Sequence, residues 1–108
     1  MIPEEIRKYI TKAVKREVRA YLDQNEDMIY MNISKRLIEY YQAGASDEIL
    51  TEALDEVTTQ KYFDVIPMYY RDRVTIERIA ERFGVDVSTI VRNKRRICLD
   101  IQRAVENA

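Results

Sequence analysis

The residues best suited to chemistry in this 108-residue chain are mostly cationic and lie together: Arg92, Asn93, Lys94, Arg95 and Arg96. A guanidinium is a planar fork of N–H donors that matches phosphate oxygens and the O6/N7 edge of guanine, so such a run on a helix points to duplex DNA. Ser88, Thr89 and Val91 precede it and bring hydroxyl groups and a branched apolar side chain. Catalytic chemistry is poorly supplied by comparison. The chain has no histidine and a single cysteine, Cys98, which removes histidine triads, histidine bases and Cys- or His-rich zinc sites. Two glycines cannot build a glycine-rich phosphate loop. Asp47, Glu48, Glu52, Asp55 and Glu56 fall in a helix opening or on its outer side, where solvation is the expected role. No enzyme activity, cofactor or metal site is expected.

Two helices must position the cationic run. Thr75 supplies a hydroxyl cap for the first and Gly84 tolerates the left-handed conformation that ends it. Between them Ile76, Ile79, Ala80 and Phe83 recur at helical spacing, with Ala80 expected where the two helices approach most closely. Asp86 is the expected cap of the second helix, and its carboxylate suits the positive end of the dipole. Ile90, Ile97, Ile101 and Val105 then form an apolar stripe, and the basic residues crowd between the first two.

The sequence IAERFGV followed by STIVR and RR resembles the DNA-binding fourth region of bacterial sigma factors and the small sigma-like regulators of phages and mobile elements. The likeness reaches back through Tyr62 to Tyr70, YFDVIPMYY, which is similar to the helix that this family places before its helix-turn-helix. It covers about residues 55 to 101. The resemblance implies that Ser88, Thr89, Arg92, Arg95 and Arg96 face the major groove and its phosphates. Lys94 departs from the pattern, standing where a leucine usually packs inward. Either the helix is rotated slightly there or Lys94 snorkels past the core.

On this reading Arg92, Ser88 and Val91 are the base-contacting residues, with Val91 meeting a thymine methyl. Thr89, Asn93, Arg95 and Arg96 are assigned to phosphates, which fix register without specifying sequence. The expected function is a sequence-specific transcription regulator of phage or mobile-element type. The resemblance leaves a contact with RNA polymerase open, although no segment for opening promoter DNA is recognisable. Two other readings stand beside it: a phage packaging protein of small-terminase type, and a protein-interaction module that does not bind DNA.

The rest of the chain reads as all-α, with about five helices. Only two glycines and two prolines interrupt a sequence rich in helix formers. Residues 71 to 108 carry nine basic and six acidic side chains, residues 23 to 70 three basic and ten acidic, and residues 2 to 22 six basic and three acidic. An acidic middle between basic ends confines the positive potential to part of the surface. Residues 3 to about 21 form the first predicted helix, with Ile6, Ile10, Val14, Val18 and Leu22 as its stripe; DQNED at 23–27 reads as a polar break. Met28, Met31, Ile33, Leu37, Ile38 and Tyr41 suggest a second helix ending near Gly44, with the methionines as core filler or a partner-facing surface. Asp47 and Glu48 open a third segment, which should break between 58 and 64 and kink at Pro67. Tyr62, Tyr69 and Tyr70 are expected in or at the edge of the core. Residues 1–46 are read as a helical arm and 47–108 as the DNA-binding domain. The arm is expected either to pair two subunits into a homodimer, because two half-sites multiply discrimination, or to complete the monomer core with its first stripe. The amino terminus does not resemble a signal peptide and no run is long enough to span a bilayer, so a cytoplasmic, non-membrane protein is expected.

Overall fold

The structure, a computed structural model, describes residues 25–108. It is all-α: five helical segments and no strand occur among the described residues. α1 covers residues 25–42, α2 Glu48–Val57, a π-helical turn Pro67–Arg71, α3 Ile76–Phe83 and α4 Val87–Glu106. The helix predicted over residues 3 to 21, with its stripe, lies outside the described residues.

Two expectations for α1 are corrected. Asn25, Glu26 and Asp27 are helical, so the carboxyl-terminal half of the DQNED segment is not a break. The weak helix propensity of Asn25 and Asp27 is offset by a tertiary contact, since Asp27 is bonded to Arg95 of α4. Met28 and Met31 are not core filler: they are 62% and 69% exposed. Ile33 and Leu37, both buried, fix the inward side of α1, and at about 100° per residue Met28, Met31 and Ile38 fall opposite. The helix ends near Gly44, which adopts φ +66°.

α2 begins where the acidic pair predicts. The Asp47 carboxylate accepts the amide of Leu50 at 3.0 Å, a side-chain cap, and also takes the Arg36 guanidinium of α1 at 2.7 and 2.9 Å. Leu50, Ala53, Leu54 and Val57 give α2 its buried face. Turns over 58–64 follow, in the interval expected for a boundary. Pro67 acts as predicted by interrupting regular α-bonding. It occupies the first turn of the π-helical segment, where its missing N–H leaves no partner unsatisfied, and the Asp72 amide reaches back five residues to its carbonyl at 3.0 Å.

The core has two parts. The larger joins Ile33 and Leu37 of α1 to the buried face of α2, to Ile66 and Tyr70, and to Ile97, Cys98, Ile101 and Ala104 of α4. The smaller gathers Val65, Ile79, Ala80 and Ile90 under the α3–α4 pair. Tyr62 and Tyr69 pack against both, as core-edge residues. Ile33, Leu37, Leu50, Ile97 and Ile101 are at most 1% exposed, each contributing about 1.5–3 kcal/mol by burial. α1 shares this core, so packing is continuous across the 46/47 boundary. Polar contacts reinforce the point. Ser34 Oγ lies 2.5 Å from Tyr70 Oη, and Gln42 donates to the Tyr70 carbonyl at 3.0 Å while accepting from Arg73 at 2.9 Å.

Candidate nucleic-acid interface

α3 opens at Thr75, whose hydroxyl accepts the Arg78 amide at 3.4 Å. It closes at Gly84, φ +66°, with the Gly84 amide on the Glu81 carbonyl at 3.1 Å and the Val85 amide on the Ala80 carbonyl at 3.0 Å. This closure turns the chain within three residues, 84 to 86, and a β-branched residue at 84 would be strained there. Asp86 holds the extended cap position of α4 with ψ 153°, but its side chain makes no cap bond. Its contribution to the first turn is therefore electrostatic, a correction to the hydrogen-bonding role its position suggests.

The twenty residues of α4 divide by face. Ile90, Lys94, Ile97, Cys98, Ile101 and Ala104 are buried, and Val105 is half-buried. Ser88, Arg92 and Arg96 are exposed on the far side and Val91 at its edge, with Val91 50% and Val87 42% accessible. Ser88, Arg92 and Arg96 recur at intervals of four and therefore line one side of the helix. Arg92 and Arg96 have no ion-pair partner among the described residues. Thr89 and Asn93 sit on the flank, half-buried, and the Asn93 amide donates to the Thr89 carbonyl at 2.7 Å. That bond uses one of the two Asn93 amide hydrogens and leaves the other, with the side-chain oxygen, available.

Lys94 resolves the alternative left by its unusual position: it faces inward. It is 8% exposed, its Nζ donates to Tyr30 Oη at 2.6 Å, and it lies 4.0 Å from the centroid of the Tyr69 ring. The rings of Tyr30 and Tyr70 stand at 5.2 and 5.3 Å. The phenol oxygen and the electron-rich faces of these rings solvate the ammonium where a leucine would otherwise pack. Lys94 therefore takes no place on the exposed face. Arg95 is also engaged. Its guanidinium pairs with Asp27 of α1 and lies 5.4 Å from the Tyr30 ring centroid. Asp27 and Tyr30 were not read as site residues because they stand 68 and 64 positions from their partners on α4. Their i, i+3 spacing within an uninterrupted helix is the signal that a polar break at 23–27 concealed.

Beneath this face Tyr70 and Cys98 complete a buried polar group. Tyr70 Oη is 3.7 Å from Cys98 Sγ, and burial pushes the Tyr70 phenol well above its usual range. Burial likewise pushes the Cys98 thiol up to about 11, opposed by the Tyr70 hydrogen bond and the charge of Lys94. These groups are neutral supports of the helix packing at neutral pH. The face above them offers two guanidinium groups without an ion-pair partner among the described residues, a hydroxyl and two valines on one rigid helix, a set able to meet phosphates, base edges and thymine methyls. The chain matches no protein-family model, no curated protein and no solved structure.

Proposed function

We propose that this protein binds duplex DNA sequence-specifically and acts as a small transcription regulator, with the amino-terminal half of α4 in the major groove. The observation that carries this reading is the exposed set Ser88, Val91, Arg92 and Arg96, held on α4 beside α3 by the three-residue turn at Gly84. Arg92, with Ser88 and Val91, reads base edges; Arg96 meets a phosphate, and Thr89 and Asn93 flank the contact. The sigma-like resemblance is consistent with this placement and adds RNA polymerase as a partner to be tried.

A homodimer is part of the proposal, because one helix in one groove reads few bases. Its expected interface is the arm of residues 1–46, of which 1–24 are outside the described residues, and sedimentation at micromolar concentration separates monomer, dimer and the larger ring of a packaging protein. Selection of bound sequences from a random duplex pool tests the function itself. A defined motif supports specific recognition, and a two-fold symmetric motif supports two subunits per site. Recovery of no preferred sequence contradicts it.

A further inference from the structure

Arg95 differs from its cationic neighbours in being occupied. Its guanidinium is paired with Asp27, whose side chain is 67% exposed and so stands in solvent beside the basic face. The Tyr30 ring lies against the same guanidinium, and Tyr30 is itself fixed by its hydroxyl to the buried ammonium of Lys94. Two successive residues of α4, 94 and 95, are thus held by two residues one turn apart on α1. Lys94 cannot leave without breaking the tyrosine cage, whereas Arg95, with a side chain 39% exposed, can exchange its partner.

Resting on the DNA-binding reading, we propose that Asp27 is an internal competitor for DNA phosphate: its carboxylate takes one Nη of Arg95 in the free protein and must be displaced before Arg95 gives the backbone its full fork. A carboxylate and a phosphate present the same paired oxygen acceptors to a guanidinium, so the two cannot both take its full fork. Asp27 also adds a negative charge beside the strand that approaches α4, which opposes binding even after Arg95 is released. The consequence is a damped sequence-independent affinity, with Arg92 and Arg96 remaining as cations available without rearrangement. An exposed ion pair is weak enough to be exchanged readily, so the device tunes affinity and does not block it.

The test uses the full chain, Asp27→Asn, Arg95→Gln and the double variant, titrated against a random-sequence duplex and against the selected site at several salt concentrations. Asp27→Asn should bind both duplexes roughly two- to fivefold tighter, the scale of one exposed ion pair, and steepen the logarithmic salt slope by about one unit. Arg95→Gln should weaken Asp27→Asn more than it weakens the wild-type protein, removing the larger part of the gain. Unchanged or weaker binding by Asp27→Asn overturns the proposal, because Asp27 would then be a spectator or an orienting partner for Arg95. Overturning it in that way leaves the DNA-binding reading standing, whereas failure of all four proteins to retard any duplex refutes that reading and the competitor with it. Far-UV melting of each variant confirms that the exposed substitutions leave the fold in place.

Discussion

Replacing Lys94 with methionine and with alanine separates what its charge contributes from what its stem contributes. Lys94 is 8% exposed and its ammonium has no carboxylate partner among the described residues. Desolvating such a group costs several kcal/mol, even after relaxation. Against this stand the hydrogen bond between Lys94 Nζ and Tyr30 Oη at 2.6 Å, about 1.5–3 kcal/mol for a charged donor, and the contact with the Tyr69 ring at 4.0 Å, about 2 kcal/mol when desolvated. The two sides nearly cancel. Lys94→Met keeps an unbranched apolar stem in the same space and lets the half-buried Tyr30 hydroxyl turn to water, so its stability should lie within about 1 kcal/mol of wild type. Lys94→Ala removes three methylene groups, about 0.8 kcal/mol each, and leaves a partial cavity, for a loss of about 3 kcal/mol. Urea denaturation at pH 7 followed by circular dichroism measures both. A loss of 3 kcal/mol or more in the methionine variant would falsify this balance, since the caged ammonium would then be a net stabiliser, and equal losses in both variants would show that the stem is not packed.

Other expectations follow from single features of the fold. Ala80, 4% exposed within the small core under α3 and α4, leaves no room for leucine, so Ala80→Leu should destabilise by about 1–3 kcal/mol; an unchanged melting temperature would place the helix crossing elsewhere. The Arg36 guanidinium bonded to Asp47 holds that carboxyl below its usual range. A depressed carboxyl contributes stability that is fully present above its unfolded value, about 3.9, and is lost as pH falls through the lower folded value. Arg36→Gln should therefore narrow the difference in denaturation midpoint between pH 6 and pH 2.5; an unaltered difference would remove this pair from the acid response. With its thiol at about 11, Cys98 is thiolate in about one molecule per thousand at pH 8. A thiol reagent should label it only as fast as the core opens, and complete labelling within minutes of mixing in native buffer would contradict its burial.

Legibility in the sequence followed the range of the interactions involved. The cap at Thr75, the start of α2 beside Asp47 and Glu48, the left-handed Gly84 and the Pro67 irregularity depend on residues a few positions apart, and each is found at its expected place; that Asp47 itself is the cap was not read. The exposed positions of Ser88, Val91 and Arg92 followed from the stripe of Ile90, Ile97 and Ile101. Contacts between distant segments were hidden. A run of basic residues does not reveal that Lys94 turns inward among three tyrosines or that Arg95 is paired, because both facts require α1 to lie beside α4. The apolar residues of α1 misled for a related reason: Met28, Met31 and Ile38 lie on one side and Ile33 and Leu37 on the other, and hydropathy alone does not say which side meets the core.

The central claim is that α4 reads base edges through Arg92, and titration of wild-type protein and Arg92→Ala on both the selected duplex and a scrambled duplex tests it most directly. Arg92 is exposed, lacks an ion-pair partner among the described residues and shares its side of α4 with Ser88 and Arg96. Its removal should weaken binding to the selected site by about 1–3 kcal/mol, with a smaller loss on the scrambled duplex and a relaxed preference at one base position. Equal losses on the two duplexes would reduce Arg92 to a phosphate contact, and the absence of binding to either duplex by the wild-type protein would contradict the account as a whole.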